Sequence, residues 1–183
     1  MKSDMKEQLA SPSGVTVTLH NGVFHLKGPK GEVSRELHMP RIVSKVEAGH
    51  VVFSSSNATQ REKRLIMTFM AHLQTAFKGV QHGHNYKLKI CASHFPMTVT
   101  VKGNQLEIKN FFGEQVPRHV AIPQGVTVKV DGQVINVDGV SRELTGQTAA
   151  NIEHSTKRAG FDKRIFQDGI FMIEKDGKSL KVM

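Results

Sequence analysis

Tryptophan is absent from this 183-residue chain and tyrosine occurs once, so apolar burial rests on Val, Ile, Leu, Met and ten Phe. Cysteine also occurs once, at Cys91, which excludes an internal disulfide and any zinc site built from several thiolates. Long hydrophobic runs are missing too: the most apolar stretch, Leu65–Leu73, is too short to span a bilayer. Residues 1–14 are polar and show no secretory leader, so the expectation is a cytoplasmic protein of a reducing compartment, without a membrane partner. Acidic residues are in deficit, with 16 Asp and Glu against 25 Lys and Arg and a formal charge of +9. That balance points to a polyanion, nucleic acid ahead of an anionic membrane surface.

Signatures of catalysis are equally scarce. The sequence contains no Walker A, GxSxG, HExxH or dinucleotide-binding pattern. His82 and His84 with His72 or His94 are the nearest approach to a metal set, but no local Asp, Glu or Cys completes it. Cys91 lies in an alternating run and reads as a small hydrophobe rather than a nucleophile. The expectation is therefore no catalytic residue, metal, cofactor or small-molecule substrate.

What the chain does contain is repetition. VSREL occurs at Val33–Leu37 and again at Val140–Leu144, a period of 107 residues, but agreement does not spread beyond the pentapeptide. An offset of 82–83 aligns more. It sets Lys27–Glu32 against Lys109–Glu114, and Val33, Arg35 and Pro40 against Val116, Arg118 and Pro123. Turn chemistry follows the same offset. Asn21-Gly22 and Ala48-Gly49 separate alternating segments in the first half, as Gly103-Asn104 and Asp131-Gly132 do in the second.

Each half thus predicts two hairpins with one buried face. Leu65, Phe69, Leu73 and Phe77 predict a helix over the first, with an Asn57/Gln60 capping box and a stop at Gly79. Leu144, Thr148, Ala149 and Ile152 predict a shorter helix over the second, with Ser141 as N-cap. Closing strands are expected at Tyr86–Ile90 and Ile170–Glu174. The fold class is α+β: two tandem duplicated domains, at 1–90 and 91–183, each an antiparallel sheet packed against one helix. VSREL should be extended in its first copy and begin a helix in its second.

Charge concentrates in STKRAGFDKRIFQDGIF. Lys157, Arg158, Lys163 and Arg164 cluster around Phe161, and Lys175, Lys178 and Lys181 extend the charge along the tail. Such a loop suits a phosphate backbone, and Phe161 either stacks on a base or packs inward. Two readings of KGPKGE stand open: Lys30 and loop N–H groups meet phosphate, or the glycines simply make a tight connection. Arg61–Arg64 reads as the solvated outer face of the first helix.

KGPKGEVSREL, YKLKICASHFPMTVTV, GQTAANIE and RIFQDGIFMIEK, in this order, resemble the large-subunit ribosomal protein family L-six in its archaeal and eukaryotic form. The resemblance runs from Gly14 to Lys175, with HFPMTV and FQDGI its most specific parts. It implies a non-catalytic constituent of the large subunit. Such a protein binds large-subunit rRNA chiefly through its C-terminal domain, near the sarcin–ricin loop and the translation-factor site, beside other ribosomal proteins. Carried over, that favours Lys157, Arg158, Lys163 and Arg164. Two positions depart from the family pattern: Phe171 replaces a common Tyr, and Phe161 replaces a common basic residue, which removes one expected phosphate contact. A free-standing basic nucleic-acid-binding or chaperone module is the rival reading.

Overall fold

Alternating side chains give each predicted hairpin one face to bury. The computed structural model, which describes residues 3–47, 49–162 and 165–180, forms those hairpins where the turn residues stand. The first unit contains β1 (Ser3–Ala10), β2 (Thr16–His20), β3 (Val23–Gly28), β4 (Gly31–Glu36), β5 (Val43–Glu47), β6 (His50–Ala58) and α1 (Gln60–His82). Its strands form two antiparallel sheets, ordered β1-β6-β5 and β2-β3-β4. His20 pairs with Val23, leaving Asn21 (φ 50°) and Gly22 (φ 80°) as the two-residue turn. Glu47 pairs with His50 across the second turn, where Ala48 lies outside the described residues. Phe24 of β3, Phe53 of β6 and Phe69 of α1 join both sheets to the helix, with ring centroids 5.8 and 5.9 Å apart.

The second unit contains β7 (His84–Cys91), β8 (Thr98–Lys102), β9 (Gln105–Lys109), a 3-10 turn (Phe111–Gly113), β10 (Arg118–Ala121), β11 (Val126–Asp131), β12 (Val134–Gly139), α2 (Arg142–Ser155), β13 (Gly169–Lys175) and β14 (Lys178–Ser179). One sheet runs β10-β9-β8, the other β11-β12-β7-β13-β14, and all pairs are antiparallel. Leu88, Leu106, Ile108, Ile135 and Ile152 lie in its core.

Two α+β units, each with one helix, are what the repeat predicts, although the strands of each divide into two sheets rather than one. The boundary differs from the expected 90/91. The chain divides between Gly83 and His84, because β7 does not close the first unit. It pairs with β12 and β13 instead. In the repeat it is the counterpart of β1: β1 pairs with β6 before the first hairpin, and β7 pairs with β12 before the second. The strand after α2, β13, has no such counterpart after α1.

Local chemistry explains the remaining differences. The cap of α1 is Thr59, whose hydroxyl accepts the Arg61 N–H at 3.3 Å. Glu62 accepts the Thr59 N–H at 2.9 Å, completing a capping box two residues later than Asn57/Gln60. Asn57 is used otherwise: it takes φ 50° and donates its N–H to Asp4 at 2.9 Å. Gly79 is buried inside the helix, which ends at Gly83. Ile66 and Val80 are buried beside Phe69, Leu73 and Phe77, while Leu65 is only half-buried. In α2, Leu144 is exposed and Thr145 takes the core position, donating its hydroxyl to Ser141 O at 2.7 Å. Ser141 occupies the N-cap without a side-chain capping bond. The two VSREL copies accordingly differ in conformation, one lying in β4 and the other opening α2.

Candidate nucleic-acid interface

A basic loop binds more tightly when its backbone is already held, since ordering it on binding costs conformational entropy. The segment after α2 is held at its neck. Thr156 Oγ1 accepts the Ile170 N–H at 2.9 Å and donates to Glu153 O at 3.1 Å, so the end of α2 and the start of β13 are tied together. Between them, Lys157, Arg158 and Phe161 are exposed. Lys163 and Arg164 lie outside the described residues.

Aromatic rings set the position of Arg158. Its guanidinium carbon stands 4.5 Å from the Phe161 ring centroid and 5.5 Å from that of Phe112. Phe161 stacks on Phe112 at 5.5 Å and meets Phe166 edge-on at 5.1 Å, so it packs on the protein rather than standing free. Glu114 lies 3.9 Å from Arg158 but is already engaged by Arg118, at 2.7 Å from Nε and 2.6 Å from Nη2. The bond from Arg118, against partial burial, holds the Glu114 carboxyl below its usual value. Arg158, at the longer distance, remains the less neutralised of the two cations.

A second hub lies behind the rings. Asp168 accepts from the Ser93 N–H, from Ser93 Oγ at 2.6 Å, and from the His94 N–H at 3.3 Å. His94 Nδ1 stands 2.6 Å from its other oxygen and carries the proton, because a carboxylate only accepts. Burial opposes ionisation of Asp168, and the bonds from Ser93 and His94 outweigh it, leaving the carboxyl below its ordinary value. Although Ser, His and Asp meet here, the arrangement is not a nucleophilic triad. One histidine nitrogen faces both partners, and Asp168 bonds the serine directly.

Of the other predicted residues, Lys181 lies outside the described residues and the rest fall into two places. Lys175 and Lys178 are exposed and face each other across the β13–β14 hairpin, a like-charge pair that a purely structural hairpin has reason to avoid. Lys30 is exposed in the first unit, where its N–H donates to Val80 O at 3.0 Å and caps a carbonyl of the last turn of α1. The KGPKGE glycine also has a geometric reason. A Cβ on Gly28 would stand 2.7 Å from the same carbonyl oxygen. The histidine set does not converge: His84 is buried with Nδ1 3.0 Å from Asp176, and no group of three potential metal ligands occurs among the described residues. Sequence reasoning missed Arg118, Phe112, Phe166 and Asp168. Of these, Phe166 and Asp168 stood inside the FQDG motif, which was their available signal.

Comparison with known proteins follows the same division. A family model described as Ribosomal protein L6 matches residues 11–83 and again 95–169, one match to each half of the repeat. The large ribosomal subunit protein uL6 of Methanococcus vannielii is 43% identical over 176 residues, covering 96% of this chain and 97% of its own. The protein of the same name from Methanosarcina mazei is 43% identical over 175 residues, covering 96% and 99%.

Proposed function

The chain belongs to the ribosomal protein L6 family, and from that premise we propose that its second unit grips large-subunit rRNA through the loop after α2. As a member of that family it is a structural, non-enzymatic constituent of the large ribosomal subunit, RNA-binding and engaged in translation. Its partners are rRNA and neighbouring ribosomal proteins. In this reading Lys157, Arg158, Lys163 and Arg164 meet phosphates, with Lys175 and Lys178 adding a second positive position on the β13–β14 hairpin. The RNA lies near the sarcin–ricin loop and the translation-factor site, in cytoplasmic ribosomes. Lys30 is a separate, weaker contact on the first unit.

The observation that carries this reading is the held loop with an incompletely neutralised Arg158 at its exposed surface. Phosphate contacts orient such a protein on RNA, and shape rather than base identity supplies the fit. The test is titration of the full chain with large-subunit rRNA over a range of salt, against unrelated duplex as competitor. Large-subunit rRNA should win. Lys157→Ala with Arg158→Ala should lower the slope of log affinity against log salt by about 1.4 to 1.8, because two cations no longer neutralise phosphates. Equal affinity for any duplex would favour a free-standing nucleic-acid module instead.

A further inference from the structure

HFPMTV and FQDGI stand about seventy residues apart, and each has a role that phosphate contact does not absorb. One carboxylate joins them. Asp168, in the second motif, accepts both N–H groups and both side chains of Ser93-His94, at the threshold of the first. We propose that Asp168 is the positioning residue of the RNA surface, acting through a relay of packed rings on the placement of Arg158; this rests on the reading of that loop as the rRNA contact.

The relay is short. Asp168 fixes the His94 imidazole through Nδ1. The imidazole packs on Phe166, with centroids 5.1 Å apart. Phe166 meets Phe161 edge-on, and Phe161 carries the Arg158 guanidinium at 4.5 Å. Each contact is individually weak, and what it supplies is placement rather than affinity. The segment around Ser93 lies between β7 and β8, outside either strand. Asp168 gives its N–H groups an acceptor, and removing the carboxylate would leave the segment without that anchor. Asp168 carries negative charge and is largely covered, so phosphate is not its partner.

Asp168→Ala in the full chain tests this with two readouts. Amide exchange at Ser93, His94 and residues 157–162 should quicken about tenfold, while the buried turn of α2 around Ala149 and Ile152 keeps its protection. Affinity for large-subunit rRNA should fall about tenfold with the salt slope unchanged, because the loosened loop must be ordered on binding while Arg158 still reaches its phosphate in the complex. Ser93→Ala should reproduce part of both effects. Unchanged exchange at 157–162 would overturn the relay. So would local loosening with unchanged affinity, and so would uniform loosening of α2 and β7, which would make Asp168 a general scaffold residue. Wild-type protein without preference for large-subunit rRNA would refute the underlying reading of the site, and the exchange measurement would still decide whether Asp168 holds the loop.

Discussion

Replacing Gly28 with alanine separates geometry from charge in the KGPKGE loop. The added Cβ would lie 2.7 Å from Val80 O and 3.0 Å from both Val80 Cβ and Cγ2. Val80 is fully buried in the last turns of α1, and its carbonyl also accepts the Lys30 N–H at 3.0 Å. The strand must therefore move off the helix, or that bond must break. Overpacking of this kind costs about 1–3 kcal/mol, and loss of a hydrogen bond about 1 kcal/mol, so about 2–3 kcal/mol is expected. With a urea dependence of about 2 kcal/mol per molar, the midpoint should fall by about 1 M. The probe matters, because the single tyrosine, Tyr86, belongs to the second unit and its fluorescence does not report on the first. Far-UV circular dichroism does, since the 23-residue α1 outweighs the 14-residue α2. Lys30→Ala keeps the backbone N–H and should hold stability within about 0.5 kcal/mol of wild type. A Gly28→Ala midpoint equal to that of wild type would refute the close-approach argument and return the loop to a role in contact with RNA.

Two further outcomes follow from the caps and carboxylates. Thr59→Ala removes the hydroxyl that accepts at the start of α1 and should cost about 1 kcal/mol in urea unfolding of the first unit; a change within error would mean that Glu62 alone suffices there. Glu114 and Asp168 both have depressed folded-state pKa values, so they contribute stability that is present above the ordinary carboxyl range, about pH 4, and lost as pH falls through their lower folded values. The second unit should therefore weaken on acidification across that window, and Asp168→Asn should show a shallower loss; identical pH dependence in the variant would count against the carboxylate's role.

Backbone punctuation was the most legible part of the sequence. Asn21-Gly22 and Gly103-Asn104 lie at two-residue turns because Asn21, Gly22 and Gly103 take positive φ, which few other residues reach at low cost, and the alternating segments beside them leave little freedom of register. The helical stripes were legible to within one position. Thr145 displaced Leu144 because a threonine hydroxyl can satisfy itself on the preceding turn and leave only its methyl to pack. Less legible was the allegiance of β7. HNYKLKIC alternates equally well as the last strand of one unit or the first of the next, and only pairing with β12 decides. The candidate site divides in the same way. Lys157 and Arg158 announce themselves by charge, whereas the bonds that Asp168 accepts from Ser93 and His94 link residues that no local pattern connects.

The place of β7 in the sheet has a consequence for synthesis of the chain. It emerges directly after α1, yet it is the middle strand of β11-β12-β7-β13-β14, and both flanking strands are made later. β12 begins at Val134 and β13 ends at Lys175, so at ordinary elongation rates both edges of β7 wait on the order of ten seconds for partners. During that interval a strand destined for the core offers unpaired N–H and C=O groups to any neighbouring chain. Lys87 and Lys89, on a face of the strand away from buried Tyr86, Leu88 and Ile90, lend it charge in the meantime. The nascent second unit is thus committed from its middle outward, and it stays incomplete until β13 has been made through Lys175.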